Sequence, residues 1–299
     1  MNTHYSSLII GHITKDTNTD HLGATVHQAG GAVLYSSAAA HALGHHAAVL
    51  TKLPDSEREL LSQFSLPASD IYCAGGKSTC LMSNTYFSAD KERRRCVCLS
   101  RGDTFSAQDI PDGVTADIYH LAGLVYGDYD RAMIKALSEY GDVAVDVQGF
   151  LRHVNADSGE MYFSDWEDKK EMLPFIKYLK TDAAEAEILC GTKDRARAAR
   201  QLCEWGAKEV FITHSSEIIA YDGQELLTCP IRARNLSGRT GRGDTSFAAY
   251  INERLTSPLS AALLEATAAV SMKMETPGPL HGAREDIENY KKRFFSDFI

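Results

Sequence analysis

Thr240-Gly241-Arg242-Gly243-Asp244-Thr245, followed at helical spacing by Phe247, Ala248, Ile251 and Leu255, is the stretch of this chain best suited to chemistry. Two glycines let backbone amides crowd toward one point, the apolar positions mark a helix that begins there, and a helix N-terminus attracts anions. The segment therefore reads as a phosphate site with a carboxylate set into it. A carboxylate beside a phosphate is unfavourable unless the reaction needs a base or a metal ligand. A base that accepts the proton of an attacking hydroxyl fits both facts.

The elements that must position this loop follow from the apolar pattern. Ser7-Leu8-Ile9-Ile10-Gly11 reads as a buried strand, Gly30-Gly31 opens a small-residue helix from Ala32 to Leu43 closed by Gly44, and Ala47-Ala48-Val49-Leu50-Thr51 is the next strand. Two further strands, Thr79 to Phe87 and Arg95 to Leu99, are joined by the charged turn Ala89-Asp90-Lys91-Glu92 and on their own predict a surface hairpin. Asp182 and Glu185 lie three apart on a first helical turn, where both carboxylates can address one metal shell or can form an N-terminal capping box. Val143 to Arg152 is a strand running into a loop, and Glu209 to Ser215 is a strand that follows an amphipathic helix and Gly206. A β excursion from Ile218 to Ile231 precedes the glycine-rich helix; a helix after Ser257-Pro258 and another from Arg284 to about Phe295 end the chain. Such alternation predicts a mostly parallel sheet covered by helices on both faces, with ligands at the carboxyl ends of its strands. Asp16, Asp146, Thr213 and the loop before Asp244 all fall at such ends.

Gly238-Arg239-Thr240-Gly241-Arg242-Gly243-Asp244 resembles the C-terminal signature of the ribokinase-like carbohydrate kinases, the PfkB family, written Asp-Thr-Thr-Gly-Ala-Gly-Asp. The resemblance implies that the Gly241 to Gly243 amides form an anion hole for the transferred phosphoryl group and that Asp244 is the catalytic base. Gly238 stands where the family has its first Asp, which puts a monovalent-cation site that leans on that carboxylate in doubt. Arg242 stands where the family has Ala; its guanidinium either joins the catalytic loop by reaching phosphate oxygens or points to solvent. Gly30 and Gly31 resemble the family's paired glycines, and Asp16 its first-strand Asp, which contact sugar hydroxyls. Arg152 matches an Arg that reaches substrate or phosphate, Thr213 and Thr240 match nucleotide contacts, and Asp182 with Glu185 resembles the Asn-x-x-Glu element that holds Mg²⁺.

The fold so implied is α/β, a ribokinase-like three-layer sandwich with a mostly parallel central sheet and a small β lid. Residues 1–11, 28–72 and 102–299 would form the main nucleotide- and substrate-binding domain, and 12–27 with 73–101 the lid. A lid excludes water from the activated phosphoryl group, and an apolar outer face, with Cys96 and Cys98 on one side of a strand, would make it a homodimer surface. The implied activity is that of a kinase using ATP and Mg²⁺ on a hydroxyl of a sugar or polyol. A nucleoside kinase and a degenerate, non-catalytic sugar- or nucleotide-binding member of the fold are the alternatives. Val145 to Phe150 and Thr276-Pro277-Gly278-Pro279 are more similar to sugar and inositol kinases than to nucleoside kinases.

Composition sets the outer bounds. The 299 residues are 44% apolar and 24% charged, ordinary for a soluble enzyme. A net charge of −9 argues against nucleic acid as a partner, which leaves the run Arg93-Arg94-Arg95 as a solvated turn flank or a local phosphate contact. No apolar run reaches the ~18 residues at which a stretch reads as a membrane span. Residues 1–30 lack the pattern of a signal peptide, and seven cysteines without framework spacing suit reduced thiols, so a cytoplasmic protein with no membrane partner is expected. The tripeptides Arg101-Gly102-Asp103 and Arg242-Gly243-Asp244 also spell an adhesion motif, which would require an exposed loop.

Overall fold

The structure is a computed structural model that describes residues 2–88 and 93–298; the charged turn expected at 89–92 lies outside the described residues. The strand Thr3–Ile10 ends in a run of fully buried positions, the mark of a strand covered on both faces. It pairs in parallel with Ala47–Leu53 on one side and Val114–Leu121 on the other. The central sheet has nine strands, in the order Leu226–Pro230, Glu217–Tyr221, Glu209–Thr213, Tyr178–Asp182, Asp142–Asp146, Val114–Leu121, Thr3–Ile10, Ala47–Leu53 and Ile71–Gly75. All pair in parallel except the excursion after Thr213, which adds its two strands antiparallel.

Alternate side chains of the central strands divide the core into layers. Val143, Val145, Leu179, Val210 and Ile212 pack against Ala186, Leu189 and Ala198 of one helical layer. Ala144, Tyr178 and Phe211 face the other, made with the helices Arg242–Glu253 and Leu259–Lys273. The helix Ala32–Ala42 is buried at every position but His41, so its Ala and Ser residues reflect close packing rather than an amphipathic stripe. Register then decides which polar groups meet at the carboxyl ends: Asp146 lies beside Lys180, and Asp182 beside Thr213.

A second sheet stands over those ends, with strands in the order Thr25–Gly30, Thr14–Thr19, Cys80–Tyr86 and Arg94–Ser100. Its limits differ from those expected of the lid. Residues 28–30 belong to this sheet, and 73–75 complete the edge strand of the main one, because a short apolar strand can pair with either and only tertiary packing selects. Cys80–Tyr86 alternates buried and half-buried positions, so one face is covered. Cys96 and Cys98 do not face outward as expected: Cys98 is buried and the Cys96 thiol donates to Asn84 Oδ1 at 3.1 Å. The outer face carries Leu99, exposed to 63%, whereas Val26, exposed to 56%, lies in register with Asn18 on the side that faces the cleft. No helix among the described residues is long and apolar enough to cross a membrane.

Two glycines with positive φ separate backbone strain from steric exclusion. Gly44 (φ +76°) closes the first helix into open space, whereas a Cβ on Gly31 (φ +98°) would sit 2.2 Å from the His12 carbonyl oxygen. Gly44→Ala is expected to lower stability by about 1 kcal/mol, the strain of a left-handed residue alone. Gly31→Ala should cost more than about 3 kcal/mol, because the turn that joins lid to helix must open. Denaturant melts of the two variants side by side check the difference.

Candidate active site

The helix Arg242–Glu253 begins at Gly241, whose left-handed conformation (φ +78°) turns the chain into its first turn. A Cβ there would lie 2.1 Å from the Tyr35 ring, so the loop and the helix Ala32–Ala42 approach as closely as they do only because Gly241 has no side chain. The amides of Gly243 and Asp244, in that first turn, have no intrahelical partner and point out of the helix. They open onto a cavity of about 390 Å³ between the lid and the carboxyl ends of the sheet. Asp16, Gly31, Arg152, Asp182, Thr213, Thr240, Gly241, Arg242, Gly243 and Asp244 all line it. Ten of the positions expected to act together, drawn from six separate stretches of sequence, therefore share one space.

The remaining two lie behind its wall. Gly30 is the floor under Asp16, since a Cβ there would fall 2.2 Å from the Asp16 carboxylate. Glu185 is buried and closes a capping box: its carboxylate accepts from the Asp182 amide and Asp182 accepts from the Glu185 amide, both at 2.8 Å. Each of these carboxylates thus spends one oxygen on the helix end, and no cluster of three metal-ligating side chains occurs among the described residues. Asp182 alone of the pair reaches the cavity, a donor set that fits a magnesium ion held chiefly by phosphate oxygens of a ligand.

Asp16 sits on a lid strand, where it accepts from Thr14 Oγ1 at 2.5 Å, and burial raises its pKa while Arg94 opposes that shift. Asp244 is half-buried at the helix start. Burial, then the negative charge of Asp146, push it up to about 6 against the pull of Lys180, Arg152 and Lys273. A carboxylate so tuned is ionised near neutral pH and still basic enough to take a proton. Beneath it Lys180 is buried on its strand with its ammonium 2.8 and 3.1 Å from the two Asp146 oxygens and 4.0 Å from Glu185. Burial works against its charge, but Asp146, Glu185, Asp244 and Asp182 together hold it protonated. Arg152 is oriented by Gln148, to whose Oε1 it donates at 2.6 Å.

Several lining groups had no separate signal in the sequence. Lys180 is one of them: it is remote in the chain from Asp146, which the sequence places at a strand end, and the two become a pair only through strand register. Arg94 lines the lid side of the cavity, so of the two readings of the basic run the contact with a ligand is the one its position favours. Arg242 is half-buried and lines the same space. Neither Arg-Gly-Asp tripeptide is displayed for adhesion. One forms a helix start inside the cleft; in the other, Gly102 packs against the His12 ring and Asp103 accepts from the amides of Lys77 and Ser78.

An anion-binding helix start that carries a poised carboxylate, set at the carboxyl ends of a parallel sheet and roofed by a small β sheet, defines a phosphotransferase with a hydroxyl acceptor. The chain matches the model of the pfkB family carbohydrate kinases over residues 2–285 and belongs to that family. It is similar to a pyrophosphate-dependent kinase of the ribokinase family in complex with sulfate, with 30% identity, 94% of this chain and 99% of that one covered, and a TM-score of 0.85. A pyrophosphate-dependent kinase of the same family, complexed with a pyrophosphate analog and myo-inositol, superposes with 29% identity, coverage of 95% and 99%, and a TM-score of 0.83. The cytidine kinase of Thermococcus kodakarensis is 25% identical over 252 residues, 82% of this chain and 86% of that protein.

The raised pKa of Asp244 has a consequence for folding. Folding lifts it from 3.8 to about 6, so the neutral form is the one the fold favours. The stabilisation this gives is complete below the unfolded value and is lost as pH rises through the folded one. Asp244→Asn, which keeps the neutral shape, is therefore expected to raise the melting temperature above about pH 6, by on the order of 1–2 kcal/mol of stability, and to change little near about pH 4. Thermal melts of both proteins across that range test the sign.

Proposed function

We propose that the protein transfers a phosphoryl group to a hydroxyl of a sugar or cyclic polyol, with Asp244 as general base and the Gly241 to Gly243 loop as anion hole. The observation that carries this reading is the placement of Asp244, with its pKa near 6, at an open helix start facing a cavity whose opposite wall holds Asp16. Asp16, with Asn84 beside it on the lid, offers hydrogen bonds to acceptor hydroxyls. Gly30 and Gly31 let the chain pass close enough for Asp16 to sit there. The acceptor hydroxyl lies against Asp244, which takes its proton as the oxygen attacks phosphorus. The bond to the leaving phosphate then breaks, and its charge is met by the loop amides, Lys180 and Arg152. When bound, a magnesium ion supplies charge neutralisation on the donor, with Asp182 as its protein carboxylate. The lid keeps water from competing with the acceptor.

For the donor, pyrophosphate is the first reading and ATP the second. Arg239, Arg242, Arg152 and Lys180 concentrate positive charge in one cavity, as a compact, highly charged donor requires, and two similar kinases are pyrophosphate-dependent. ATP follows from the family as a whole, with Thr213 and Thr240 then beside the nucleotide. The acceptor reading leans on the myo-inositol complex of one relative, against a cytidine kinase as the other. We further propose that the outer face of the lid, where Leu99 is exposed, is covered in a homodimer.

The decisive experiment offers pyrophosphate or ATP, with Mg²⁺, together with a panel of sugars, cyclic polyols and nucleosides, and reads phosphorylated product. Pyrophosphate-driven phosphorylation of a polyol is expected. Phosphorylation by ATP alone reassigns the donor, and a preference for nucleosides reassigns the acceptor. Asp244→Asn should lower turnover by ~10²–10⁴-fold. In the wild type kcat/KM should fall as pH drops through about 6, where Asp244 gains its proton, and that acid limb should vanish in the variant. Arg242→Ala, which restores the family's usual residue, is expected to reduce kcat/KM for the donor by about tenfold or more, near 1.4 kcal/mol. Unchanged kinetics would return Arg242 to the solvent.

A further inference from the structure

Lys273 is the last residue of the helix Leu259–Lys273, and only 1% of its surface is exposed. Its ammonium donates to the carbonyl oxygen of Gly238 at 2.5 Å and to that of Thr240. The Tyr35 ring centroid lies 5.1 Å from Nζ, so the aromatic face covers what the carbonyls leave open. No carboxylate forms an ion pair with Lys273 among the described residues; Asp244 acts on it only through space. Two backbone carbonyls aimed at one buried point repel each other unless a cation sits between them.

The same loop is tied down on both sides of that point. The Gly238 amide donates to the Met274 carbonyl at 2.8 Å, and Ser237 Oγ to that of Glu275 at 2.7 Å. Gly238 has no room for a side chain, since a Cβ would fall 1.8 Å from the Thr276 carbonyl oxygen. Position 238 therefore cannot supply a carboxylate that would recruit an ion from solution. The positive group comes instead from the neighbouring helix, at its C-terminal end, where the helix dipole favours it.

We infer that the Lys273 ammonium is a tethered monovalent cation: a positioning residue that holds the Gly238 and Thr240 carbonyls so that the Gly241 to Gly243 amides face the cleft, and so makes an exchangeable potassium ion unnecessary. The inference rests on the kinase reading for its activity readout. Wild-type turnover is expected to be equal in potassium, sodium and N-methylglucamine buffers. Stimulation by potassium beyond about threefold would overturn the inference whatever any variant does. Lys273→Ala, shown folded by circular dichroism, should lose at least about tenfold in kcat with little change in acceptor KM, and ammonium or potassium ions, but not tetramethylammonium, should restore a large part of it. A folded variant that keeps full turnover without added cation, or one that no small cation rescues, overturns it equally. If wild type phosphorylates nothing, the kinase reading fails on its own. Calorimetric binding of pyrophosphate, weakened in the variant and recovered with ammonium, then still decides the role of Lys273; binding unaffected by the substitution or by the cation counts against it.

Discussion

A buried ammonium under the floor of the cleft is the constraint from which most of this site follows. Lys180 and Asp146 stand side by side on adjacent parallel strands, out of water, and their ion pair offsets the cost of burying two charges there. A one-residue slip in the pairing of those strands would turn one of them to the opposite face and leave a lone charge in the core. The pair therefore helps to fix the register of the central sheet. That same register carries Asp182 to Thr213 and fixes the ends from which the cleft is built. The field of the pair reaches upward as well: Asp146 raises the pKa of Asp244 and Lys180 lowers it, and the value near 6 is their balance together with burial.

Glycine controls how close the three walls of the cleft come. Gly241 lets the anion-binding turn rest on the Tyr35 ring, Gly31 lets the lid strand meet the first helix, and Gly243 leaves space for the Lys180 side chain, whose Cε would lie 3.1 Å from any Cβ there. Each contact removes a side chain from a place where backbone amides or a substrate must come. The lid strand Thr25–Gly30 is therefore joined to the first helix through a turn with little freedom, while most of its own length is exposed.

Local chemistry was legible in the sequence and tertiary chemistry was not. Gly241, Gly243 and Asp244 could be read because a glycine-rich turn, a carboxylate and the start of an apolar helical pattern lie within a few residues of one another. The same holds for Gly31 before its helix and for Asp182 with Glu185, where the pattern suggested both a capping box and a metal shell; the structure forms the capping box and brings only Asp182 to the cavity. Lys273 had no such signal, because its partners lie 33 and 35 residues away and are backbone carbonyls, which leave no trace in residue type. The lid boundaries at 28–30 and 73–75 escaped for a related reason: short half-buried strands look alike whichever sheet they join.

Charge is distributed so that the site and the surface select for different things. The chain as a whole carries a net charge of −9, which opposes the approach of large polyanions at long range. Within the cleft, Lys180, Arg152, Arg94, Arg239 and Arg242 reverse the sign over a short distance. Only a ligand small enough to enter passes from the repulsive exterior field to the attractive interior one, where low-dielectric walls strengthen each contact. Asp16 and Asp244 then divide that interior, because a phosphate group is drawn to the cations and repelled by the two carboxylates, while a neutral hydroxyl is hydrogen-bonded by them. Under the proposed function, the charge pattern orients donor and acceptor relative to each other before any contact specific to either is made.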